Sequence, residues 1–130
     1  MRVSMAHGVF PAVPSSVREV RRLVADVLEA AGAPADRYHA ALLATSELVT
    51  NAIEHASRKG DEIEVACVLS DRKLTASFTD RARGHTLPEA RTPQETSESG
   101  RGLLIVDRLV DSWTDRIVDG SRRVSFEITI

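Results

Sequence analysis

Cysteine is almost absent from this chain. Cys67 is the only one in 130 residues, which excludes an internal disulfide framework and fits a reducing interior. Charge of one sign is also missing: 17 basic residues against 19 acidic leave a formal net charge of -2. That balance gives no electrostatic reason to expect nucleic acid or a membrane surface as the main partner. No apolar run approaches the roughly 18 residues a membrane-spanning helix needs, and the opening stretch, residues 1–14, lacks the long apolar segment of a signal peptide. A cytoplasmic protein is expected. No segment repeats, and 130 residues suit one domain over 1–130 whose single core needs neither metal nor disulfide.

What is present centres on the stretch from Asp36 to Ala56, with Asp36 as the expected N-cap. At about 100° per residue, Ala41, Leu42, Thr45, Leu48, Val49, Ala52, Ile53 and Ala56 gather on one side of a helix, which should be core. Ala40, Leu43, Ala44, Glu47, Asn51 and Glu54 collect on the other. Glu47 and Asn51 stand at i and i+4, close enough to act on one ligand, and the small alanines beside them leave room for it.

Before this helix, residues 1–14 carry short apolar pieces broken by Pro11 and Pro14 and form at best an edge strand. Ser16 followed by Glu19 reads as a capping box, opening a first helix that runs to Gly32. After it the period changes. Ile63, Val65, Cys67 and Leu69, then Leu74, Ala76 and Phe78, alternate with more polar residues around an Asp71-Arg72 turn, the pattern of a hairpin. From Asp80 to Gly100 the chain is polar and without period, a length usual for a functional lid. Gly102 opens a short helix, and a second hairpin turns at Asp119-Gly120. The order predicts an α+β fold, a two-layer α/β sandwich with a mainly antiparallel sheet covered on one face by helices.

Three separated pieces can meet at one site: Glu47 with Asn51, Asp80 after a strand, and Gly100-Arg101-Gly102 at a helix start. Glycines there let backbone N–H groups and the positive end of the helix dipole approach an anion, typically phosphate. Alone, a Gly-x-Gly turn is a common loop. Tyr38 and Trp113 read as packing residues, Cys67 as a buried inert thiol, and His55 as a tie at the helix end.

Glu47-Leu-Val-Thr-Asn51-Ala-Ile-Glu-His55-Ala, Asp80-Arg-Ala-Arg-Gly84 and Ser99-Gly100-Arg-Gly102-Leu-Leu-Ile-Val-Asp-Arg-Leu, in that order, resemble the histidine-kinase-like ATPase superfamily. The short form is similar to the bacterial anti-sigma-factor serine kinases. The resemblance covers the chain from about Pro14 onward and implies an ATP site between helices and sheet. It assigns Asn51 to Mg2+ as a hard-oxygen ligand and Glu47 to general base toward a substrate serine. Asp80 would accept a hydrogen bond from the adenine amino group, Gly84 would let the chain pass close to the base, and Gly100, Arg101, Gly102 and Leu103 would form the turn over the phosphates. Partners implied are a sigma factor and an anti-sigma antagonist protein, with no direct contact to nucleic acid or membrane. Such proteins often pair through the sheet, so a homodimer is an arrangement open to this chain. Two positions depart from the family pattern: Ala82 stands where the acidic loop usually has its first glycine, and a threonine often found early in the last strand is missing where Arg123 or its neighbours stand. These departures support an alternative, a protein-binding regulator of the same fold that works with or without nucleotide and has no kinase activity.

Overall fold

A computed structural model describes residues 3–55, 60–81 and 97–130, the last segment with side chains from Leu103 onward. The elements are β1 (Val3–Pro11), α1 (Ser16–Ala30), α2 (Ala35–His55), β2 (Glu62–Ser70), β3 (Lys73–Arg81), α3 (Ser97–Leu109), β4 (Ser112–Val118) and β5 (Ser121–Thr129). The strands make one five-stranded sheet in the order β1-β2-β3-β5-β4, and every neighbouring pair is antiparallel. This is the α+β architecture expected. β1 is an edge strand, where Pro11 costs no ladder bond on its outer side.

Period-two alternation builds the sheet's apolar face. Register sets Val65 opposite Phe78, Phe78 opposite Val124, and Ala76 between Cys67 and Phe126, and all of these are buried. The Phe78 and Phe126 rings stack with centroids 6.3 Å apart. Onto this face α1 lays Val20, Val24 and Leu28, α2 lays Leu48, Val49 and Ala52, and α3 lays Val106. Among the described residues the helices pack on one face of the sheet and none covers the other.

Both hairpins turn through paired left-handed residues, Asp71 and Arg72 (φ 51° and 66°) and Asp119 and Gly120 (φ 49° and 82°), as two-residue turns between right-twisted strands require. Arg72 is an unusual residue for that conformation. It is held by the chain end: its guanidinium donates to the Ile130 carbonyl at 2.7 Å, and its own carbonyl accepts from the Ile130 N–H at 2.8 Å.

Helix ends depart from the sequence expectations in identifiable ways. Ser16 is not half of a capping box. It is buried as the first residue of α1, and its hydroxyl donates to the Pro11 carbonyl at 2.6 Å, fastening the helix to the end of β1. At the other end Gly32 adopts φ 67°, with Gly32 N–H on Glu29 and Ala33 N–H on Leu28, a Schellman closure. Asp36 is inside the first turn of α2 rather than capping it, because the Tyr38 N–H already reaches the Pro34 carbonyl at 2.8 Å. α3 begins at Ser97 and not at Gly102; Ser97, Glu98 and Ser99 are residue types that suit the positive end of a helix. Of the expected lid, Gly84 and the rest of 82–96 lie outside the described residues.

Candidate functional site

α2 contacts α1, α3, β3 and β5, so few of its faces remain open. Ala44 and Asn51, expected on a polar, accessible side, are both buried, Asn51 at 7% exposure. Glu47, one turn earlier, is half-buried, Glu54 is exposed, and His55 closes the helix half-buried. On that side of the helix Ala44 and Asn51 are covered, while Leu43 and Glu54 stay exposed. Asn51 keeps its Oδ1 without a hydrogen-bond partner among the described residues. A buried carbonyl oxygen left in that state costs on the order of 1–3 kcal/mol, which makes it a vacant acceptor facing whatever enters the helix layer.

β3 supplies the second piece. Asp80 is on the strand, opposite Ile63, rather than just beyond it as expected. Alternation with buried Leu74, Ala76 and Phe78 turns it toward the helix layer, and its Oδ1 is buried. Thr79, its neighbour, points to the opposite face and accepts a hydrogen bond from Arg123 Nε at 3.1 Å. Arg123 therefore does not stand on the site side. The residue of β5 that does is Arg122, in alternation with buried Val124 and Phe126, and its guanidinium grips Asp115 with two bonds of 2.9 and 2.6 Å.

The third piece is α3. Gly100, Arg101 and Gly102 lie within its first two turns, and Leu103 is half-buried against the core. α3 packs on α2 and is tied to β4 by Trp113 Nε1 donating to Asp107 at 3.0 Å. Among the described residues no group of three or more His, Cys, Asp or Glu side chains is placed to hold a metal ion, and no helix is long and apolar enough to cross a membrane.

Residues 10–127 match the histidine kinase-like ATPase domain. The chain belongs to that family. Serine-protein kinase RsbW of Staphylococcus epidermidis is 28% identical over 118 residues, covering 80% of this chain and 74% of the relative. Among solved structures, the RsbU and RsbW domains of a Mycobacterium tuberculosis protein superpose with a TM-score of 0.73 at 24% identity, over 97% of this chain. The histidine kinase domain of a blue-light-activated kinase from Erythrobacter litoralis superposes with a TM-score of 0.59 at 20% identity, over 92% of this chain. This chain spans 32% and 61% of those two structures' own chains, and at these identities they bear on the fold alone.

Read as a histidine kinase-like ATPase domain, the chain also shows residues that its sequence gave no reason to single out. Arg21 of α1 donates to the Leu42 carbonyl at 3.3 Å and to the Ser46 hydroxyl, and Ser46 in turn donates to Leu42 at 3.0 Å. This knot fastens α1 to the turn of α2 that carries Glu47. Helical spacing could have placed Arg21 on a polar stripe of α1, but nothing local names its partner. Cys67 is buried in the core, and burial pushes its thiol up to about 12, so it stays protonated.

Proposed function

We propose that this domain binds ATP with Mg2+ and acts as a serine-protein kinase of the anti-sigma type, sequestering a sigma factor and phosphorylating a serine of an antagonist protein. The observation that carries the reading is the buried, unsatisfied Asn51 Oδ1 on the same helix as half-buried Glu47. A hard, neutral oxygen ligand is suited to Mg2+, which is bound through few protein groups and shared with substrate phosphates. When bound, the ion would neutralise phosphate charge. Asn51 would hold it. Asp80, turned into the same layer, would accept from the adenine amino group. At the Ser97 end of α3 the opening N–H groups lack intrahelical acceptors, and the bare backbone of Gly100 and Gly102 next to them, with Arg101 and Leu103, suits phosphates. Glu47 would take the proton of the attacking serine hydroxyl. Gly84 is assigned to the adenine side by its sequence position alone.

Similarity to serine-protein kinase RsbW supports the protein-kinase reading. A second reading, a regulator that binds partners and transfers nothing, draws support from Ala82 in the acidic loop and from Arg122, locked to Asp115 on the site side of β5. Both readings suit a cytoplasmic protein. Labelled phosphate transfer from ATP separates them, using the protein that co-purifies from the native cell as acceptor. Transfer by wild type that falls at least a hundredfold in Glu47→Ala, within the range general bases contribute, supports the kinase. Equal transfer by both proteins would remove Glu47 as base, and none by wild type would leave the binding module.

A further inference from the structure

The β3–β5 ladder ends at the Thr79–Arg123 rung. One step beyond it, Asp80 of β3 and Arg122 of β5 come side by side on the face that carries the helices. Across the next ladder Arg122 stands opposite Ile117 of β4. Acid, guanidinium and aliphatic chain thus follow one another over three adjacent strands, about 10 Å in all. Ile117 shares its face with Trp113, which packs on the core, yet it is 58% exposed. The described helices therefore leave this corner of their own face open, beside the residue assigned to the base of a nucleotide. Arg122 is held there in one orientation: Asp115 accepts from its Nε and Nη2 at 2.9 and 2.6 Å, which occupies one fork of the guanidinium. Nη1 makes no hydrogen bond among the described residues.

Asp115 already compensates the charge of Arg122. A phosphate brought here would meet two carboxylates, Asp80 and Asp115, around one arginine, so an uncharged acceptor is the better partner for Nη1. A purine edge supplies one. Adenine offers this pair one amino group for Asp80 and one ring nitrogen for Arg122. Guanine offers N1–H and N2–H, which the two oxygens of one carboxylate accept together, and O6 and N7, the acceptors that arginine matches best. We propose, on the nucleotide reading of the layer around Asp80, that Arg122 contacts the base and opens the site to guanine, so that Mg-GTP binds at least as tightly as Mg-ATP. Ile117 adds aliphatic surface beside the ring. Were the Arg122–Asp115 pair only a surface salt bridge, it would add a little stability and leave the base preference untouched.

Isothermal titration of the full chain with Mg-ATP and Mg-GTP, in wild type, Arg122→Leu and Arg122→Lys, tests this. Wild type is expected to bind Mg-GTP at least as tightly as Mg-ATP. Arg122→Leu keeps the aliphatic bulk and removes the donors, so guanine loses two bonds where adenine loses one, and the ratio of the two affinities should move toward ATP by roughly tenfold or more. Arg122→Lys, which keeps the charge and one point donor, should give a ratio between those of the other two proteins. The ratio is a safe readout because partial loss of folded protein lowers both titrations alike; should Arg122→Leu fail to fold, the shift in Arg122→Lys carries the comparison. Wild type that binds Mg-ATP more tightly than Mg-GTP, or a ratio that neither variant moves, would overturn the role of Arg122 while leaving the nucleotide site in place. Binding of neither nucleotide by wild type would strike the nucleotide reading itself, and the guanine assignment with it.

Discussion

Replacing Asn51 by leucine should make the free protein more stable while removing its affinity for Mg-ATP. Asn51 is 7% exposed and its Oδ1 is without a partner among the described residues, so the ligand-free fold carries a desolvation cost of about 1–3 kcal/mol. Leucine has the same branched arrangement of side-chain heavy atoms in a somewhat larger volume, leaves no orphan acceptor and adds apolar area beside Leu48 and Ala52. A gain of about 1–2 kcal/mol is expected, which for a domain of this length raises the melting temperature by roughly 3–8 °C. Stability held back at a binding position is the usual trade between stability and function. Thermal melts without nucleotide measure the first half, and nucleotide titration in Mg2+ measures the second, where at least a tenfold loss is expected. A variant that melts lower than wild type, or one that binds Mg-ATP as wild type does, would refute the reasoning; Asn51→Ala distinguishes loss of the oxygen from crowding by leucine.

Other consequences concern the framework. Arg21→Ala removes a charged donor shared by Leu42 and Ser46 across α1 and α2; the group is half-exposed, so urea unfolding should show a loss of about 1–2 kcal/mol. Asp111 has its carboxyl held below the usual aspartate range, first by the Thr129 hydroxyl and then by the Thr129 N–H. A depressed folded value means that its contribution is present above the unfolded pKa and disappears as pH falls through the folded one. Asp111→Ala should therefore melt below wild type at neutral pH, and the two curves should converge in acid; a gap that persists there would assign the loss to packing. Cys67, buried with its thiol raised to about 12, should react with thiol reagents only as fast as the protein unfolds, and rapid labelling under native conditions would contradict its position.

Much of the fold was legible because strands are written in local alternation. Ile63 to Leu69 and Leu74 to Phe78 showed their buried face by period alone, and Asp71-Arg72 and Asp119-Gly120 marked the reversals where the structure has them. Gly32 marked the end of α1 for a local reason as well, a left-handed residue closing the helix. Legibility stopped where the answer was tertiary. That β5 lies between β3 and β4 follows from which apolar face meets which, not from any one strand. Ser16 has the residue type of a cap, and only the nearness of Pro11 decides that its hydroxyl goes there instead. On α2 the split into core and polar sides misplaced Ala44 and Asn51 because periodicity does not register a second neighbour, and α3 packs on the helix too. The candidate site shows the same division. Residue types and their order singled out Asn51 and Asp80, while the Arg21 knot and the side taken by Arg122 needed the assembled sheet and helices.

The most direct test of the nucleotide reading is equilibrium titration of the purified domain with ATP, with and without Mg2+, in wild type and in Asp80→Ala and Asn51→Ala. Binding that Mg2+ strengthens in wild type, that Asp80→Ala weakens with or without the ion, and that loses its Mg2+ dependence in Asn51→Ala is the expected result. No detectable ATP binding by wild type up to about 1 mM, the weak end of ordinary enzyme–substrate affinities, would contradict it.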